Sequence, residues 1–160
     1  MDISRKTDYA LRMLAMLAEG NKSLLSVRTA AEAVDVPYSF ARSIQHGLVQ
    51  AGIVESLRGV RGGMRLRLEP SEITIRQIVE AVQGPLVMND CTAEEGMCPR
   101  MECCCYHPIW VGAQELLRDY LDSVTLDDVV NHRQYPAVDV KFTDRDRFVE
   151  YASCGKVCGK

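Results

Sequence analysis

The sequence predicts a mainly α fold with one small β-hairpin, on three observations. Amphipathic helical segments separated by short breaks fill residues 7–50. Two short alternating runs follow, Ile53-Val54-Glu55-Ser56-Leu57 and Met64-Arg65-Leu66-Arg67-Leu68, joined by the glycine-rich Arg58-Gly59-Val60-Arg61-Gly62-Gly63. The third is a long helical stripe after Pro108. Helix, turn, helix and then a hairpin is the order of a winged helix-turn-helix, here with a long dimerisation helix appended.

Each element has its own signal. Ala10, Leu11, Leu14, Leu17 and Ala18 share one face of a helix from Thr7 to Glu19, and Gly20 ends it. Ser26 caps a short helix to about Val34, with Val27, Ala30 and Ala31 inward. Asp35-Val36-Pro37 is a tight connection, and Pro37 suits the opening of the next helix, Tyr38 to Gln50. That helix buries Phe40, Ala41, Ile44 and Leu48; Gly47 inside it costs about 1 kcal/mol against alanine and points to a close approach. Thr74-x-x-Gln77 is a capping box, with Ile73 and Ile78 spaced as a hydrophobic staple. Its helix buries Ile75, Ile78, Val79 and Val82 and stops at Gly84-Pro85. Residues 86–106 have no usable periodicity. Pro108 then opens the last long helix, whose stripe is Ile109, Ala113, Leu116, Leu117, Tyr120, Leu121 and Val124. Such a stripe resembles a coiled-coil seam, so a second copy of the chain is its expected cover, with Ile109, Ala113, Leu116 and Tyr120 as candidate interface residues. Residues 125–130 read as a short capped helix, and the chain from Asn131 as a polar, loosely held tail.

Composition narrows the class. Hydrophobic residues at 47% and charged residues at 26% are those of a soluble globular protein. No apolar run reaches the roughly 18 residues of a membrane span. Met1 to Lys6 leads into a helix with no signal-peptide core, so a cytoplasmic protein is expected. The net charge of −3 conceals an asymmetry. Residues 1–70 carry ten Lys/Arg against seven Asp/Glu, whereas residues 71–160 carry nine against fifteen. An anionic partner suits the head alone.

A helix-turn-helix reads double-stranded DNA by laying its second helix in the major groove. The segment Tyr38 to Gln50 offers an apolar back and a polar front, on which Tyr38, Ser39, Arg42 and Ser43 are the candidate contacts. Arg58 and Arg61 on the wing tip suit the negative potential of a minor groove. Arg65 and Arg67 suit the flanking phosphates. The competing reading is a solvated, charged hairpin on a helix-turn-helix that serves only a core.

Seven cysteines are many for a reducing compartment, where clustered thiols are more often ligands than disulfides. Five lie between Cys91 and Cys105, and Cys91-x6-Cys98-x5-Cys104-x2-His107 places three thiols and an imidazole within one loop. Soft ligands so grouped suit an iron–sulfur cluster or a closed zinc site. The wide gaps, without the CxxC pairs of many zinc knuckles, suit a larger object than one zinc ion; a redox disulfide is the third reading. There is no phosphate loop and no nucleophile–base pair in context, so no enzyme is expected. His46 and His132 read as surface residues.

Taken together, the helix-turn-helix, the wing Arg58-Gly59-x-x-Gly62-Gly63-x-x-Leu66, the capped helix at Ile73-Thr74, Glu80-Ala81-Val82, the cysteine loop, Trp110 and Thr125-Leu126-x-Asp128-Val129 resemble the IscR, NsrR and RirA family. The resemblance spans residues 1 to about 131. It implies a homodimeric transcription regulator with crossed long helices, an iron–sulfur cluster near the interface and a pseudo-palindromic operator. It also implies Cys91, Cys98 and Cys104 as ligands, although the first gap is six residues where the family has five. His107 stands where one branch has a histidine ligand to a 2Fe–2S cluster. Asp8 stands where another supplies a carboxylate from the opposite subunit to a 4Fe–4S cluster, the type favoured here. Each has a plainer reading: Asp8 complements the helix dipole in a first turn, and His107 caps the long helix. Cys103 and Cys105 flank the third ligand. Ser39 matches a family DNA contact, and Arg42 replaces a glutamate, which shifts its preference toward guanine.

The expected organisation is therefore a winged helix-turn-helix DNA-binding domain at 1–84, a cluster-binding loop at 85–107, a dimerisation helix region at 108–131 and the tail at 132–160. The expected function is a repressor sensing iron, nitric oxide or redox state. The alternatives are a cluster-free regulator answering to a protein partner or small ligand, and a zinc-stabilised interaction module.

Overall fold

A computed structural model describes residues 2–20, 24–59, 62–93, 98–100, 104–132 and 135–137. Arg61, Cys103, Cys154, Cys158 and most of the expected tail lie outside the described residues. The first helix, α1 (Arg5–Glu19), begins two residues before its apolar pattern does. Ser4 is the reason: its hydroxyl accepts the Thr7 N–H at 3.2 Å, satisfying a donor of the first turn. The period also brings Met13 inward beside Ala10, Leu14 and Leu17. Thr7 is buried with them because its Oγ1 donates to Gln83 Oε1 at 2.7 Å.

Ser26 caps α2 (Val27–Ala33) through the Thr29 N–H, and Val27, Ala30 and Ala31 face the core. The connection to α3 (Tyr38–Gln50) turns through Asp35 at φ 60°, a left-handed conformation that aspartate tolerates better than most side chains. On α3, Ala41, Ile44 and Leu48 are buried, but Phe40 is 44% exposed. It sits about 70° around the helix from the middle of that inward line, and its ring meets Tyr9 edge-on at 5.8 Å.

The wing pairs β1 (Val54–Leu57) with β2 (Gly63–Leu66), antiparallel, with Glu55 opposite Arg65. Both strands are shorter than the alternation suggested. A further pairing was not legible in the sequence: Leu25 exchanges backbone hydrogen bonds with Met64, at 3.0 and 2.8 Å. Gly63 permits it, since a Cβ there would lie 2.5 Å from the Leu25 carbonyl oxygen.

Beyond the wing, α4 (Ile75–Gln83) carries the expected capping box. Thr74 Oγ1 accepts the Gln77 N–H and Gln77 Oε1 accepts the Thr74 N–H. Ile73 and Ile78 are both fully buried, as a staple requires. Ile75 is only partly buried. Among its described residues the cysteine region contains one short 3-10 turn, Asp90–Thr92. The last long helix, α5, runs His107–Asp122, so Val124 is not part of its stripe. Val124 is instead buried past the helix end, with its carbonyl accepting the Ile75 N–H at 2.9 Å. Leu126 joins the same core as Leu14, Ile44 and Ile78, each burial contributing roughly 2 kcal/mol. The following turn is a π-helical segment, Asp128–His132, not an ordinary helix. None of the described helices is long and apolar enough to cross a membrane.

Two expected outcomes follow from these contacts. At Gly47 a Cβ would stand 2.5 Å from the Ala81 backbone oxygen, an atom that cannot swing aside. Gly47→Ala should therefore destabilise the fold by about 1–3 kcal/mol in urea unfolding, despite alanine's better helix propensity. Asp128 accepts from Thr125 Oγ1 at 2.6 Å and from the Thr125 N–H at 2.9 Å. Those two hydrogen bonds, the hydroxyl's first, hold its carboxyl below the usual aspartate value of 3.8. A depressed carboxylate contributes its stability fully above the unfolded-state value and loses it as pH falls through the folded one. Asp128→Asn should thus flatten the acid limb of stability below about pH 4, and leave its shape above pH 6 unchanged in thermal melts across that range.

Candidate nucleic-acid interface and thiol cavity

The polar front of α3 faces the wing across a groove of about 650 Å³. Tyr38, Arg42, Gln45 and His46 form one wall, and Ser56, Leu57 and Arg58 form the other. Gln45 Nε2 donates to Ser56 Oγ at 3.0 Å, tying α3 to β1 and fixing the distance between the walls. Of the sequence-predicted contacts, Tyr38, Arg42 and Arg58 line the groove. Ser39 and Ser43 are exposed on α3 beside it, and Arg61 lies outside the described residues. Arg65, expected along the flank for phosphates, is instead ion-paired with Glu55, its cross-strand neighbour. That pairing follows from the register, which sets opposite charges directly across from each other. Arg67 is exposed, as expected.

One residue of this groove was missed. Arg28, in the first turn of α2, holds its guanidinium 4.8 Å from the centre of the Tyr38 ring. Stacking on an aromatic face orders a long cation without neutralising it. Its signal in the sequence was its place in the first turn of the helix that precedes α3. With Arg28, three arginines and no carboxylate appear among the described lining residues. Such a groove presents donors and positive charge to an anionic ligand at a width set by secondary structure.

The second site is a cavity of about 990 Å³ between the irregular loop and the start of α5. Cys91, Cys98 and Cys104 all line it, with Asn89, Asp90, Ala93, Pro99, Tyr106 and Trp110 around them. The three thiols are free and half-buried. Cys105 is also a free, half-buried thiol, but it does not line the cavity, which separates it from Cys104. Chain direction explains this: Cys104 precedes the turn into α5, and Cys105 lies within it. Among the described residues no three His, Cys, Asp or Glu side chains approach closely enough to hold a single metal ion. The thiols share a chamber without meeting at a point.

Neither candidate fourth ligand lines that chamber. His107 is the first residue of α5, and Tyr106 occupies the cap position without a side-chain bond, so the expected histidine cap is not made. Its Nδ1 is buried and has no hydrogen-bond partner among the described residues. Asp8 is exposed in the first turn of α1, where it complements the helix dipole, and Arg12 Nη2 binds its carboxylate at 2.8 Å. The three thiols that share the chamber are soft donors of the kind that suits an iron–sulfur cluster, and His107 lies outside it.

Along α5 the expected seam is open. Ile109 is 59% exposed, Leu116 48% and Trp110 38%, while Ala113 and Tyr120 are half-buried. Gln114 is the one buried residue of the helix.

Comparison with known proteins agrees with this architecture. Residues 3–132 match the Rrf2 family, described as iron-dependent transcriptional regulators. Protein aau3 of Rhizobium meliloti (strain 1021) is 33% identical over 134 residues, covering 83% of this chain and 87% of that protein. The HTH-type transcriptional regulator NsrR of Shouchella clausii is 30% identical over 132 residues, covering 81% and 89%. Among solved structures, CymR, the global cysteine regulator of B. subtilis, superposes with a TM-score of 0.64 at 27% identity, covering 82% of this chain and 98% of that one. The family expected from the wing and the cysteine loop is the family found, the NsrR and CymR relatives are named as regulators, and this chain belongs to the Rrf2 family of winged-helix transcriptional regulators.

Proposed function

We propose that this regulator is a homodimeric repressor of a pseudo-palindromic operator, and that an iron–sulfur cluster on Cys91, Cys98 and Cys104 sets its DNA affinity in response to iron, nitric oxide or redox state. The observation that carries the reading is the convergence of those three thiols, out of an irregular loop, on one cavity walled by Tyr106 and Trp110. A disulfide framework or unrelated free thiols would not require three cysteines so far apart in sequence to share one chamber. When bound, the cluster supplies a redox-active, nitric-oxide-reactive iron centre. In the favoured 4Fe–4S form the fourth ligand would be Asp8 of the partner subunit; in a 2Fe–2S form it would be His107, whose Nδ1 has no hydrogen-bond partner among the described residues.

The chain's own residues supply the rest. Arg28, Arg42 and Arg58 attract the phosphate backbone, and Tyr38 and Arg42 present groups to base edges. Ile109, Ala113, Leu116 and Tyr120 carry the open face of α5, and pairing that face with a second copy removes exposed Ile109 and Leu116 from water. In such a dimer the two α3 helices are a fixed distance apart. Small changes in loop order that move α5 then alter half-site spacing, to which affinity is steeply sensitive.

Anaerobically purified protein should be brown, with matched iron and sulfide and no zinc; a colourless protein with stoichiometric zinc would displace the reading. Cys98→Ala should keep the wild-type circular dichroism and lose the difference in operator affinity between cluster-loaded and cluster-free protein. Retention of that difference would sink the sensor assignment. Arg58→Ala should weaken operator binding and make the slope of log K against log salt shallower by about one, as the loss of one cation at the DNA requires.

A further inference from the structure

A buried glutamine on an otherwise amphipathic helix is costly unless all its polar atoms are used, and a leucine or methionine there would pack without that cost. Gln114 is 6% exposed, and both polar atoms of its amide are bonded. Its Oε1 accepts the Met88 N–H at 2.9 Å and the Thr92 hydroxyl at 2.7 Å. Its Nε2 donates to the Thr92 carbonyl at 3.1 Å. Met88 and Thr92 bracket Cys91, the first cysteine of the cavity. One side chain of α5 thus grips the loop on both sides of a thiol. Four residues along the helix, Arg118 Nη2 donates to the Leu86 carbonyl at 3.1 Å and fastens the base of the same loop.

The far end of α5 is fastened differently. Asp122 accepts from Arg76 Nε at 2.8 Å and from Thr74 Oγ1 at 3.2 Å, at the start of α4. Helix α4 in turn meets α3 backbone to backbone, at Ala81 against Gly47. Loop, α5, α4 and α3 are therefore joined in series by polar clamps and one close contact.

We propose that Gln114 is the positioning residue that couples the cysteine loop to the DNA-reading helix. It holds Cys91 in register with α5, so that a change at the thiols is felt as a displacement of α5 and not absorbed as slack in the loop. This rests on the cluster reading above. The alternative, that Gln114 only fills space, makes no use of its three hydrogen bonds.

The test compares wild type with Gln114→Met, which keeps the volume and removes the bonds, and Gln114→Glu, which keeps both acceptor bonds. In cluster-free protein, alkylation of each thiol by iodoacetamide is followed by mass spectrometry. Cys91 in Gln114→Met should react roughly tenfold faster than in wild type, with Cys98 unchanged, as local opening without a buried hydrogen bond predicts. Gln114→Glu should restore part of the protection, which a space-filling role would not. In operator binding, Gln114→Met should take up iron and sulfide yet bring the ratio of loaded to cluster-free affinity to about one. Unchanged Cys91 reactivity and an unchanged ratio, in a protein that does take up the cluster, overturn the role of Gln114 alone. A wild type that takes up no cluster under anaerobic reconstitution overturns the functional reading and the coupling with it.

Discussion

Helix α4 approaches α3 so closely that the Ala81 carbonyl leaves no room for a Cβ at position 47. Most of the architecture hangs on that contact. It fixes the rotation of α3 about its axis, because Gly47 must face α4 while Ala41, Ile44 and Leu48 face the core. Tyr38, Arg42, Gln45 and His46 are left to look outward at the wing. The same short helix holds α1 through Gln83, whose Oε1 accepts from the Ser4 N–H and the Thr7 hydroxyl, and holds α5 through Thr74 and Arg76 on Asp122. A nine-residue helix thus serves as the joint for three longer ones.

The two sites are built on opposite principles. Two of the groove's arginines, Arg28 and Arg42, stand on helices whose backbone is satisfied internally, and Arg58 follows directly on the end of β1. Among the described residues of the thiol loop, the Met88 N–H and the Leu86 and Thr92 carbonyls are met by side chains from α5. Gln114 and Arg118 take on the work that a sheet or helix would otherwise do. A loop held by a few side chains can be reorganised by a ligand at modest cost, whereas the groove cannot.

The parts legible in advance were those whose cause is local. Ser26 and Thr74 cap the helices their spacing announced, Gly47 marks a close approach, and the wing falls between the two alternating runs. Where a residue's surroundings depend on a distant segment, the reading strayed. Phe40 belongs to an apolar period yet lies at the flank, because Tyr9 of another helix sets where the core ends. Arg65 has the composition of a phosphate contact, but the hairpin register gives it to Glu55. Arg28 was passed over because its partner, Tyr38, lies across a turn. Val124 fits the helical period of α5 but is claimed by a backbone bond to Ile75.

The sequence by itself determined the helix and strand order, the basic head, the spacing of the thiols and the family to which the pattern belongs. These depend on side-chain period, capping chemistry and charge along a short stretch of chain, and need no knowledge of what lies opposite. Only the tertiary structure decided that Cys104 and not Cys105 lines the chamber, that Arg28 completes the groove, and that a buried glutamine ties the thiol loop to α5. Each of those is a pairing between residues brought together by packing, and a pairing has no signature in either partner alone.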